Sequence, residues 1–192
     1  MKPKHLFKLL FVAIISIVLL AACGSDDDSS SGSGENVLDS IKESNTMVFG
    51  VKNDTRLFGL KNPSTGDIEG FDIDIANEIA KGILGDDATV EFKEVTSKTR
   101  IPLLQNGEID AIIATMTITD ERKEQVDFSD VYFEAGQSLL VPKGSSIQSI
   151  DDITSNTKVL AVKGSTSADN IRELTDAQVL EFENYSEAFT AL

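Results

Sequence analysis

From residue 47 onward, short apolar runs alternate with amphipathic stretches, and this alternation constrains the fold more than any other feature of the chain. MVFGV (47–51) reads as a strand. From Phe71 to Leu84 the residues Phe71, Ile75, Ile79 and Ile83 recur every fourth position, which predicts a helix, and Asp72 and Asp74 suit its first turn. VEFKEV (90–95) alternates and reads as a strand. Thr99 to Asn106 reads as a short helix, with Pro102 tolerable in its first turn and Gly107 just past its end. DAIIAT (110–115) is nearly all apolar, as expected of a strand covered on both faces. Strands alternating with helices imply a parallel sheet and an α/β fold.

A second set begins near Leu139. SLLVP (138–142) reads as a strand, SIQSIDDI (146–153) as a short helix and KVLAVK (158–163) as a strand. STSADNIREL (165–174) reads as a helix, VLEF (179–182) as a strand and SEAFTAL (186–192) as a helix. The two sets rhyme: VEFKEVTSKTRIPLLQNGEIDAIIAT matches VLEFENYSEAFTAL as strand, short loop and amphipathic helix. In the first set a buried strand follows that helix. In the second set the sequence stops, so the reading expects a chain truncated at its C-terminal side, the alternative being a small second sheet with an exposed edge.

The first residues are of another kind. Lys2, Lys4 and Lys8 precede an apolar run from Leu9 to Leu20, followed by Ala21 and Ala22. Basic, then apolar, then small is the pattern of a secretory signal, and the run is shorter than the roughly 20 residues of a spanning helix. The only cysteine, Cys23, follows directly. LAAC resembles the lipobox of bacterial lipoproteins, which implies lipidation of Cys23; a stray cysteine in a secreted protein is the plainer alternative. Residues 1–22 are thus expected to be a signal peptide, and 23–34, with GSDDDSSSGSG, a lipid-anchored flexible linker with a reach on the order of 20 Å. Residues 35–138 would form a first lobe and 139–192 the start of a second. Cleavage before Cys23 takes away three lysines and the single histidine, His5, leaving 14 basic against 32 acidic residues and a net charge of about −18. That charge repels nucleic acid and suits solubility outside the cell. Without histidine or a free thiol, Ser-His, Cys-His and His-metal chemistry are excluded, and neither a catalytic residue, a metal nor a cofactor is expected.

The stretch ATMTITDERKEQVDFS (114–129) carries the candidate site. If the strand continues, Thr115, Thr117 and Thr119 line one face at its C-terminal end, where ligands of open α/β sheets bind. Thr119 is a suitable N-cap for a helix starting at Asp120. Arg122 then stands at the third helical position, where a capping box would want Glu or Gln. Hydroxyls, helix amides and a guanidinium at one spot suit a carboxylate. The alternative is that Arg122 pairs with Asp120, Glu121 or Asp127 on the surface.

TMTITDERKEQVDFS, with GFDIDIANEIAK (70–81) upstream and VLAVKGSTSADNI (159–171) downstream, closely resembles the solute-binding proteins of polar amino-acid ABC transporters, and the likeness runs from about Glu35 to the end. The resemblance implies a two-lobed, type II periplasmic-binding-protein-like fold with a two-strand hinge. An amino acid would be clamped between the lobes, and the loaded form would dock on permease subunits. It further implies that Arg122, Thr117 and Thr119 hold the ligand's α-carboxylate and that the backbone carbonyl of Thr115 takes the α-ammonium. Lys163 and the loop Gly164-Ser165-Thr166-Ser167 would reach the ligand from the second lobe, with Ser167 standing where many relatives have glycine. Asn53, Asp54, Arg56 and Phe58 would shape the side-chain pocket. The acidic partner of the ligand ammonium would lie beyond residue 192.

Similarity over whole segments is closest to glutamine binders. Arg100, within SKTRIPLLQNG, matches a side-chain arginine of glutamate and aspartate binders; the alternative is that it points into water. The expected function is therefore binding of glutamine or glutamate outside the cell by a monomer, lipid-anchored to the outer face of the cell membrane, with no enzymatic activity. Three rivals remain: a truncated fragment that binds nothing alone, the sensor domain of a receptor, which would require a membrane-spanning helix and an output module, and a cleft enzyme of the dehydratase type, which some relatives of this fold became and which would need a poised acid or base.

Overall fold

The computed structural model describes residues 36–192; the expected signal (1–22), the expected linker (23–34) and Cys23 lie outside the described residues. Strand β1, Thr46–Val51, is the centre of a three-stranded parallel sheet. Strand β5, Thr89–Glu94, pairs with it on one side, from Thr46 opposite Thr89 to Val51 opposite Glu94. Strand β6, Ala111–Ile113, pairs on the other, with Phe49 opposite Ala111. Helix α1, Val37–Ser44, precedes β1 and ends on Asn45, which takes the left-handed conformation at φ 50°. Between β1 and the long helix α2, Phe71–Leu84, a small antiparallel sheet is inserted: β2 (Asp54–Thr55), β3 (Gly59–Lys61) and β4 (Ile68–Glu69). Helix α3, Arg100–Gln105, joins β5 to β6.

The residues of β1 alternate between two cores, as a strand requires. Met47, Phe49 and Val51 point into a cluster with Ile41, Ile73, Ala76, Ala80 and Ile113. Val48 packs instead against Val95, Ile109 and Ala114 on the other face, with Leu103 and Leu104 of α3. Helix α2 lies where the sequence places it, but it buries a different face. Its buried residues are Asp72, Ile73, Ala76 and Ala80, whereas Phe71, Ile79 and Ile83 are each more than a third exposed. A four-residue repeat advances about 40° per step around a helix, so a stripe from 71 to 83 drifts off any single face. The alanines are what let the helix approach the sheet.

In the second set, β7 (Lys158–Val162) and β8 (Gln178–Phe182) pair in parallel, with Val159 opposite Val179. Helix α5, Thr166–Leu174, connects them, and helix α6, Tyr185–Ala191, follows. Two expectations fail here. SLLVP forms no strand, because none of the described residues offers it a ladder, and Leu140 is left 65% exposed. SIQSIDDI yields only a 3-10 turn at Ile150–Asp152, closed by Ser149 and Asp152 as a capping box.

Candidate functional site

Strand β6 ends at Ile113, and the chain turns sharply. Thr115 has φ 47°, a conformation that a β-branched residue rarely takes. The three threonines therefore do not continue the strand alternation; Thr115 and Thr117 are exposed and Thr119 is half-buried. The peptide unit that begins this turn is held from both ends. Ala114 O accepts from Nη1 of Arg100 at 2.8 Å, and the Thr115 amide donates to Oδ2 of Asp72 at 3.0 Å. The Tyr132 hydroxyl donates to Oδ1 of the same carboxylate at 3.1 Å.

Helix α4, Asp120–Lys123, begins on Thr119, whose hydroxyl accepts from the Arg122 amide at 3.2 Å. The half-buried Arg122 side chain reaches two parts of the chain: Nη1 donates to Thr117 O at 2.7 Å and Nη2 to Gly164 O at 3.1 Å. It makes no surface pair with Asp120, which is engaged by Lys123 at 3.0 Å. Arg100 is 3% exposed, and its Nε has no hydrogen-bond partner. Burial, and then the neighbouring charge of Arg122, lower its pKa to about 10. Burial likewise lowers that of Arg122, against the opposing pull of Asp169 and Glu121. Among the described residues, neither guanidinium meets a carboxylate at salt-bridge distance. Two neighbouring cations, one deeply buried, form a local field that favours an anion or a strong acceptor.

From the second set come Lys163, Ser165, Thr166 and Ser167. The Lys163 ammonium is engaged by Glu183, which raises its pKa. Ser165 is buried and caps α5 by accepting from the Ala168 amide. The Thr166 hydroxyl takes a hydrogen bond from Gln137 at 2.9 Å. Asp54 is also engaged: Oδ1 meets Nζ of the buried Lys52 at 3.1 Å, and Oδ2 accepts from the Tyr185 amide at 2.7 Å. Phe58 packs edge-on against Phe71 and Phe133, with ring centroids 6.1 and 4.9 Å away. Asn53 donates to Glu94, and Arg56 is exposed.

The structure thus gathers Arg122, Arg100 and the segment Thr115–Thr119, and brings the loop at Gly164 to them. Sequence reasoning missed Asp72, Tyr132, Lys52 and Tyr185. Burial raises the pKa of the Asp72 carboxyl against the lowering effect of the Thr115 amide, and burial beside Asp72 raises that of Tyr132. The Lys52 ammonium lies 5.5 Å from the centre of the Tyr185 ring. Among the described residues, no group of three or more His, Cys, Asp or Glu could hold a metal ion, and no helix is long and apolar enough to cross a membrane.

Residues 47–188 match the profile of the bacterial extracellular solute-binding proteins, family 3. The chain is 65% identical to the "ABC transporter glutamine-binding protein GlnH" of Bacillus subtilis (strain 168), over 98% of its own length and 71% of the relative's. It is 56% identical to a "Glutamine-binding protein" of Geobacillus stearothermophilus, over all of its own length and 79% of the relative's. Among solved structures, "An ancestral arginine-binding protein bound to glutamine" superposes with a TM-score of 0.70 at 44% identity, covering 77% of this chain and 64% of that one.

Proposed function

Because the chain belongs to the bacterial extracellular solute-binding proteins of family 3, we propose that it binds free glutamine outside the cell, through the ligand's α-carboxylate at Arg122, and delivers it to an ABC permease. The observation that carries this reading is the guanidinium of Arg122. It touches the carbonyls of Thr117 and Gly164, one from each set of elements, and keeps further N–H donors for a carboxylate. The Thr119 hydroxyl and the turn at Thr115 stand beside it. Two relatives whose names specify glutamine support the choice of ligand. The same relatives are named as binding proteins, which supports binding without turnover. Anchoring through a lipid on Cys23, action as a monomer, and contacts of Thr166, Ser167 and Phe58 with the ligand belong to the same proposal.

Glutamate is a second reading, favoured by one observation. Arg100 is buried with an unpartnered Nε and, among the described residues, no carboxylate at salt-bridge distance, so a ligand side chain with a full charge would be well placed there. Glutamine would offer its amide oxygen instead. Calorimetric titration of the purified protein with the twenty amino acids separates the readings. Saturable heat for glutamine, with weaker or no heat for glutamate, is expected. Stronger binding of glutamate would replace the ligand, and no saturable heat from any amino acid would contradict the function.

A further inference from the structure

The peptide unit between Ala114 and Thr115 carries one carbonyl and one amide, and both are engaged by ionisable side chains from different helices. Its oxygen accepts from Arg100 at the start of α3, and its N–H donates to Asp72 in the first turn of α2. Asp72 is 0%, Ala114 0% and Arg100 3% exposed, so both hydrogen bonds are shielded from water. Charge-assisted bonds of this kind are stronger than neutral ones and fix an orientation. The residue they start is held at φ 47°, a strained conformation for a side chain branched at Cβ. Nothing in the sequence around Thr115 favours that conformation. Among the described residues, the side chains hydrogen-bonded to the peptide that precedes Thr115 are Arg100 and Asp72.

We propose that Asp72 and Arg100 act as a positioning pair: by bracketing the Ala114–Thr115 peptide they force Thr115 into the left-handed region and so aim the Thr115–Thr119 segment at the ligand. The inference rests on the reading of that segment as the carboxylate site. It assigns Asp72, which touches no ligand in this scheme, a role in affinity. It also gives Arg100 a duty besides meeting the ligand's side chain. Tyr132 completes the carboxylate's coordination and ties the same point to the chain that leaves the first set of elements.

The test compares Asp72→Asn in the native background and in a Thr115→Gly background, since glycine takes positive φ without strain. Asp72→Asn is expected to weaken glutamine binding about tenfold or more, as the loss of a buried charged hydrogen bond implies. In the Thr115→Gly background the same change is expected to cost several-fold less. A structural role alone would lower affinity equally in both backgrounds, and that result, or no loss at all, overturns the inference. Hydrogen exchange on the ligand-free protein decides the matter even if the wild type binds no glutamine, which would sink the proposed function separately. Asp72→Asn is expected to speed exchange across 113–119; unchanged exchange overturns the inference. If Asp72→Asn does not fold, two variants at the gripped residue serve instead. Thr115→Gly is expected to melt higher than Thr115→Ala, and the reverse order overturns the inference.

Discussion

Single residues in this chain owe their roles to neighbours that the sequence does not reveal. Asp72 is a case. An aspartate in the first turn of a helix is favoured by the dipole whether it faces water or the core. Position alone therefore could not show that it is buried and bonded to Thr115 and Tyr132. Arg100 left two options in the sequence, solvent or cleft, and the structure places it inside. Lys163 and Asp54, both placed at the site by their position in sequence, are paired with other groups in this structure, Lys163 with Glu183 and Asp54 with Lys52 and the Tyr185 amide. Gly70 is a sharper constraint. Its φ is 139°, and a Cβ there would stand 2.4 Å from Phe58 O. Both strain and clash oppose any side chain, so Gly70→Ala should destabilise the fold by about 3 kcal/mol. Chemical denaturation measures this; a change below about 1 kcal/mol would show that the joint between β4 and α2 relaxes freely.

At the scale of elements, the strands and helices with strong periodicity were legible, and those that depend on a partner were not. Helix α2 and strands β1, β5, β7 and β8 follow their patterns. SLLVP has the composition of a strand but no ladder, and composition cannot supply one. The hairpin strands β2, β3 and β4 were missed because two- or three-residue pairs leave no periodicity to read. Helix α1 was missed beside the polar run at 24–34, with only Ile41 of its residues buried. The turn at Ile150–Asp152 shows how a cap alone can hold an element. Oδ2 of Asp152 accepts from the Gln148 and Ser149 amides at 2.8 and 2.9 Å, which lowers its pKa below 3.8. A depressed carboxyl stabilises the fold above its unfolded pKa and loses that contribution as pH falls through the folded value. Asp152→Asn should therefore melt below the wild type at neutral pH, with the gap closing as the pH drops under 3.8. A gap independent of pH would show that the two amides do not depend on the charge.

At the scale of the molecule, the resemblance in three motifs carried the family, and the matched profile over residues 47–188 agrees. What the motifs could not convey is how the two sets of elements meet. They meet at Arg122 with Gly164, at Asp54 with Tyr185 and at Gln137 with Thr166. These contacts join residues 29 to 131 positions apart in sequence, beyond the reach of any local pattern. The Arg122 contact matters most, because the same guanidinium is assigned the ligand's carboxylate. Its role can be isolated by titrating wild type and Arg122→Ala with glutamine and with glutamine's α-carboxamide, in which an NH2 donor replaces one acceptor oxygen and the negative charge is lost. The wild type should favour glutamine over the carboxamide strongly, and Arg122→Ala should lose about 2–4 kcal/mol of glutamine affinity and most of that preference. If the substitution leaves glutamine affinity within about a factor of two, or leaves the preference intact, Arg122 does not hold the carboxylate and the account fails at its centre.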